Sequence, residues 1–258
     1  MHYALGDIHG CFDQMMHMIR KIEEKDPDAV FIFVGDFIDR GPKVWETMQW
    51  CWEHMSHEGK YQAVRGNHED MVIEWYYDEY LSWCRETEEN GGIPLRDMPR
   101  TIYDFCDVAE KHGFLSPEGL RPWIETMNTM PYFKEMTLEL ADGSFQKYVI
   151  VHAYMNKETL DAIHAGEDPE KYKDTILYSR EHVFGVTDIP DIVLVHGHTP
   201  TLTAFYTEYG EESESGQIGH RQNMINVDAG CVFAEQFLHH PLTLWAYCLE
   251  TREEISCT

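Results

Sequence analysis

Short apolar runs alternate with helix-spaced apolar positions along the first part of the chain. Residues 3–5 read as a strand that stops at Gly6, and Phe12, Met15, Met16, Ile19 and Ile22 then follow one helical face. Residues 29–34 (AVFIFV) are apolar without a break, which predicts a strand buried on both faces and ending at Gly35-Asp36. Pro42 stands where a helix over 43–57 would begin. Residues 61–64 predict a third strand ending at Arg65-Gly66, with another helix starting near Asn67 or His68. Strand, helix, strand, helix, strand is an α/β pattern.

The middle reads differently. Residues 75–131 contain helical segments at 101–111 and 117–130, breaks at Asn90-Gly91-Gly92 and His112-Gly113, and no convincing strand. Residues 132–140 and 145–151 then flank Asp142-Gly143, a hairpin signal. Residues 192–195 predict a buried strand ending in His196-Gly197-His198, residues 210–219 an exposed loop, and residues 224–227 and 242–249 the last strands. No internal repeat or interdomain linker is visible, so residues 1–258 read as a single domain with a mostly helical insertion at about 75–131.

Charge narrows the partners. Twenty basic against 46 acidic residues give a net charge of −26, which disfavours nucleic acid and anionic membrane surfaces. A small phosphorylated substrate stays possible, because metal ions and a few arginines reverse the sign locally. Seven cysteines form no CxxC pair, and the first residues show no basic-then-apolar leader. The expectation is a cytoplasmic protein with reduced thiols.

Four polar clusters each follow an apolar strand: GDIHG at 6–10, GDFIDRG at 35–41, GNHE at 66–69 and GHT at 197–199. His152 follows a fifth strand. Sites in open α/β sheets form beyond the carboxyl ends of strands, so all five should converge. Their Asp, His and Asn side chains offer oxygen and imidazole donors without thiolate, which suits manganese, iron or zinc. Any single Gly-Asp pair is ordinarily a turn. The full GDxHG string arises by chance in only about one chain in a thousand, and three further clusters in order make accident a poor explanation.

GDIHGCF, GDFIDRG, RGNHEDM, His152, YSREH around Arg180, GHT and NVDAGCVF at 226–233 resemble the phosphoprotein phosphatase family of calcineurin-like metallophosphoesterases. The likeness is greatest to the bacterial and phage lambda-type serine/threonine protein phosphatases, and covers the chain except about 75–131. It implies an α/β/β/α sandwich with a helical insertion and a site holding two divalent metal ions, manganese first. Asp7, His9 and Asp36 would hold one ion. Asp36 would bridge to the other, completed by Asn67, His152 and His198. His68 would be the general acid, oriented by Asp39, and Arg40 and Arg180 would bind phosphate oxygens. The family's usual glycine is Tyr154 here, which puts the pocket wall in question.

The residues agree with that chemistry. Two metals make a bridging water acidic enough to attack phosphorus as hydroxide near neutral pH. The arginines steady charge on the phosphoryl oxygens, and His68 protonates the departing oxygen. The first expectation is a phosphomonoesterase acting on phosphoserine or phosphothreonine in proteins, with other small phosphoesters as possible substrates. The alternative is a diadenosine tetraphosphate hydrolase, for which the aromatic run Trp75, Tyr76, Tyr77, Tyr80 and Trp83 is a candidate adenine platform; packing a helical subdomain is its ordinary role. Phosphodiesterases of this kind carry GHxH, and Pro200 stands at that second histidine. A non-catalytic scaffold should have lost ligands, yet each is present.

Overall fold

The computed structural model describes residues 1–86, 98–180, 187–202, 216–234 and 242–258. The chain opens with β1 (His2–Leu5), α1 (Phe12–Glu23), β2 (Val30–Phe33), α2 (Val44–His54) and β3 (Tyr61–Ala63). The three strands pair in parallel, β1 with β2 and β2 with β3. Next comes α3 (Asn67–Trp75), which runs through a π turn at Tyr76–Tyr80 into α4 (Leu81–Glu86). The helices α5 (Arg100–Lys111) and α6 (Pro117–Thr129) follow.

A second sheet begins with the hairpin of β4 (Phe133–Glu139) and β5 (Phe145–Val151). Its turn places Gly143 at φ +82°, and the Asp142 carboxylate accepts the Ser144 N–H at 2.9 Å. After α7 (Lys157–His164), the sheet is completed by β6 (Ile192–His196), β7 (Gly219–Arg221) and β8 (Met224–Asn226) in the order β4-β5-β6-β8-β7. The chain then returns to the first sheet, where β9 (Trp245–Cys248) pairs antiparallel with β1, and β10 (Glu254–Ser256) with β9.

The apolar strands divide their side chains by the pleat. Ala4, Ile32 and Val34 meet Ile150, Val195 and Val227 between the sheets. On the outer side of the first sheet, Leu5, Phe31 and Phe33 pack with Met15, Met18 and Ile19 of α1. On the outer side of the second, Val149, Val151 and Leu194 pack with Leu160 of α7 and with Ile176 and Leu177. Both faces of the central strands are therefore buried, which explains their unbroken apolar runs. The result is the expected α/β/β/α sandwich.

Among the described residues between β3 and β4, the regular secondary structure is all helical, with turns at 112–116. Val72, Phe105, Trp123 and Ile124 share one apolar cluster with Val44 and Met48 of α2. Trp75, Tyr76 and Tyr80 are buried in it and Trp83 packs against it, whereas Tyr77 is 46% exposed. Most of the aromatic run is thus packing. Tyr154 is buried among Val151, Met155 and Leu160.

Some details differ from the pattern reading. The last predicted strand forms only over Trp245–Cys248, and α7, β7 and β10 were not anticipated. Gly219, expected in a loop, opens β7. The Asn90-Gly91-Gly92 break, residues 181 and 182 of YSREH, and residues 210–215 lie outside the described residues. All seven cysteines are free thiols. No described helix is long and apolar enough to cross a membrane.

Candidate metal centre

Five motif residues adopt left-handed backbone conformations: His9, Asp36, Asp39, Arg40 and His198, with φ between +43° and +73°. Side chains other than glycine rarely occupy this region, and such strain persists where surrounding structure enforces it. The neighbouring glycines permit the tight approach. A Cβ on Gly35, itself at φ +102°, would lie 2.5 Å from Gly66 N, and one on Gly41 would lie 1.9 Å from the His9 carbonyl. The loops after β1, β2 and β3 are therefore nested against one another. Those after β5 and β6 join them from the second sheet.

Asp36 is the centre of the arrangement. Its Oδ2 lies 3.5 Å from His9 Nε2, 3.5 Å from His152 Nε2 and 3.8 Å from His68 Nε2. Its Oδ1 accepts the His68 backbone N–H at 3.1 Å. Burial opposes ionisation, but the ring of histidines holds the Asp36 carboxyl well below the usual carboxylate range. Burial keeps His9 neutral, with its pKa lowered to about 3, and lowers His152 and His198 as well.

Backbone carbonyls fix which imidazole nitrogen faces inward. His9 Nδ1 donates to the Ile38 carbonyl at 2.7 Å, and His152 Nδ1 donates to the Val34 carbonyl at 2.8 Å. Each neutral ring then presents the lone pair of Nε2 to the centre, the usual outer support of a metal-binding histidine. His152 Nε2 meets Asn67 Oδ1 at 2.9 Å, and His198 Nδ1 lies 3.1 Å from the same oxygen. A lone pair facing a carbonyl oxygen repels it unless a cation lies between them. His9 Nε2 is buried and makes no hydrogen bond among the described residues. These atoms fit divalent metal ions bound by nitrogen and oxygen.

Two groups of ligand atoms each lie within 4.8 Å of one another: His9, Asp36 and His68, and Asp36, His152 and His198. Asp36 belongs to both. Asp7, expected beside His9, falls outside these groups. Its Oδ1 accepts the His198 backbone N–H at 3.2 Å, and its carboxyl hydrogen-bonds Asp228. Burial, then Asp228 and Asp36, push Asp7 well above the normal carboxylate range. Burial also raises Asp228 to about 7. Such crowding of buried carboxylates again calls for cations.

His68 occupies a distinct position. Its Nδ1 lies 3.0 Å from Asp39 Oδ2, and its Nε2 lies 3.1 Å from Arg40 Nη2. Burial disfavours the imidazolium, yet Asp36 and Asp39 outweigh it and raise the His68 pKa above its ordinary value. An imidazole held between a carboxylate and a guanidinium can take up and release a proton, and His68 also belongs to the first ligand group. The Arg180 side chain donates to Thr199 Oγ1 at 3.2 Å. His196 is buried beside the Gly197 carbonyl and is not in either ligand group, whereas His198 is.

Three participants carried no assignment in the sequence. Glu69, the last residue of GNHE, is fully buried and accepts the N–H groups of Asp36 at 2.8 Å, Phe37 at 2.9 Å and Gly66 at 3.1 Å. Asp228 stands within NVDAGCVF. Thr101 has no motif around it. The first two sat in quoted motifs and had a signal; Thr101 had none.

Known proteins share sequence and fold with this chain. The profile described as calcineurin-like phosphoesterase matches residues 3–212. A symmetrical bis(5'-nucleosyl)-tetraphosphatase of Neisseria meningitidis is 40% identical over 78 residues, covering 30% of this chain and 27% of that protein. The match thus spans about a quarter of that relative's length. An asymmetrical bis(5'-nucleosyl)-tetraphosphatase of Bacillus velezensis is 26% identical over 255 residues, covering 90% of this chain and 85% of that protein. A solved structure proposed to be a diadenosine tetraphosphatase shares the fold with TM-score 0.54 at 16% identity, covering 99% of this chain and 91% of that one.

Proposed function

Because the chain belongs to the calcineurin-like phosphoesterase family, we propose that it is a dimetal hydrolase of dinucleoside tetraphosphates. The observation that carries this reading is the Bacillus velezensis tetraphosphatase, whose likeness runs over 90% of the chain. The Neisseria relative carries the same substrate in its name. This favours the nucleotide alternative over the protein phosphatase first expected from the motifs.

Asp7, His9, Asp36, Asn67, His152 and His198 would hold two divalent ions. Their oxygen and imidazole donors suit manganese, with iron or zinc also compatible. When bound, the ions supply Lewis acidity toward phosphoryl oxygens and lower the pKa of water toward neutrality. The chain's own residues do the rest. Arg40 and Arg180 offer forked donors to the phosphate oxygens and offset a strongly negative protein locally. His68, with Asp39 on Nδ1, delivers a proton from Nε2 to the departing oxygen. The same reading treats residues 1–258 as one domain with a mostly helical insertion at about 75–131.

The test is hydrolysis of diadenosine tetraphosphate by Mn²⁺-loaded full-length protein, measured beside a phosphothreonine peptide. The reading expects nucleotide products at a kcat/KM at least about tenfold above that for the peptide, a difference of about 1.4 kcal/mol in transition-state binding. Fast peptide turnover with little nucleotide cleavage would return the protein to the phosphatase reading.

A further inference from the structure

The hydroxyl of Thr101, buried in the first turn of α5, faces the candidate site. Thr47 and Thr126 lie further into their helices and donate to the carbonyl four residues back, at 2.9 and 2.8 Å; Thr101 is the second residue of α5, where no helical carbonyl stands at that position. Thr101, only 6% exposed, donates to Asp39 Oδ2 at 2.9 Å. Its Oγ1 also lies 3.2 Å from His68 Nδ1. Asp39, His68 and Thr101 thus form a closed triangle, with Asp39 Oδ1 taken up by the Arg40 N–H at 2.6 Å.

We propose that Thr101 is a positioning residue for the proton donor, supplied to the dyad by the helical segment. The inference rests on the reading of His68 as that donor. The threonine has one proton, and giving it to Asp39 leaves a lone pair facing His68 Nδ1. That nitrogen must therefore carry its own proton, shared between Asp39 Oδ2 and Thr101 Oγ1. Both oxygens favour one ring orientation, with Nε2 turned toward Arg40 and Asp36. Asp39 stays held by the Arg40 N–H and by the Asp104 side chain, but removing the hydroxyl takes away the second oxygen that faces His68 Nδ1 and so loosens the ring. The donor's reach to the departing oxygen then varies, while metal and phosphate contacts are untouched.

A role confined to packing makes different predictions. Thr101→Val keeps the shape and β-branching and deletes the hydroxyl. Thr101→Ser keeps the hydroxyl and deletes a methyl group. Both are compared in the full Mn²⁺-loaded chain on p-nitrophenyl phosphate and an alkyl phosphate. The valine variant should lose about 10-fold or more in kcat on the alkyl ester, part of the ~10²–10⁴-fold available to general acid catalysis. On the nitrophenyl ester it should lose less than about threefold, with KM little changed on either, and serine should restore the alkyl activity.

A second readout needs no substrate or metal. The His68 Nδ1–H proton, assigned by its loss in His68→Asn, should be protected from exchange by nuclear magnetic resonance in the wild type and Thr101→Ser. It should exchange rapidly in Thr101→Val, and in Thr101→Ala if the valine variant folds poorly. The ring proton separates this inference from the nucleotide reading, because it is observable whatever the substrate proves to be. Equal losses on both esters without rescue by serine, or an unchanged His68 proton in the variants lacking the hydroxyl, would overturn the proposal.

Discussion

Glu69 and Asp36 clamp one another's segments from opposite directions. The Glu69 carboxylate accepts the Asp36 backbone N–H at 2.8 Å, while Asp36 Oδ1 accepts the backbone N–H of His68, Glu69's neighbour, at 3.1 Å. One carboxylate thus holds the strained loop after β2, and the other holds the first turn of α3. The two metal-facing segments are locked in register by hydrogen bonds from main-chain N–H groups to these carboxylates.

Loss of Glu69 should therefore cost stability and metal affinity together. Glu69→Ala leaves the buried N–H groups of Asp36, Phe37 and Gly66 without their acceptor, which predicts a loss of about 2–4 kcal/mol. Glu69→Gln keeps one acceptor oxygen and should lose less. Chemical denaturation and metal titration of both variants check this. A wild-type midpoint for Glu69→Ala would show that the clamp is not needed.

The buried acids make metal-free stability depend on pH. Asp7 and Asp228 have folded pKa values raised above their unfolded ones, Asp228 to about 7, chiefly by burial. Groups of this kind stabilise the fold fully below the unfolded pKa and lose that contribution as pH rises through the folded pKa. Above about pH 6.5 the buried histidines are neutral in both states and no longer oppose this trend, so the chelated protein should melt at progressively lower temperature from there to about pH 8. Metal-loaded protein should be flatter over that range, because the cations favour the ionised carboxylates. Parallel curves with and without chelator would sink this assignment.

His68 should matter in proportion to the basicity of the departing oxygen. His68→Asn is expected to slow an alkyl phosphate by about 10²–10³-fold and p-nitrophenyl phosphate far less. Dinucleoside tetraphosphates release a phosphate oxygen whose pKa is near 6, so they should group with the nitrophenyl ester. Equal losses across the three substrates would argue against proton donation.

Much of this architecture is written locally. The strands at 29–34 and 192–195 are continuous apolar runs because both faces are buried, and the polar motifs that end them stand out by contrast. His68, Asp36 and His198 were legible for that reason. The separation into two sheets was implied by the family likeness and not by the apolar pattern, because facing strands and paired strands bury the same residue types. The three-residue β10 is too short to show alternation. The short α7 carries a cap signal in Asn156, which accepts the Thr159 N–H at 2.9 Å, but the pattern around it is weak. Thr101 acquires its role only when α5 meets a loop 62 positions earlier, a contact that no local pattern encodes.

The most direct test of the account is the metal content of the full-length protein beside Asp36→Asn and Asn67→Ala. Asp36 alone belongs to both ligand groups. The wild type should hold about two divalent ions per chain, Asn67→Ala about one, and Asp36→Asn close to none, as expected when one carboxylate bridges two ions. A wild type that binds no stoichiometric metal, or an Asp36→Asn variant that keeps both ions, would contradict it.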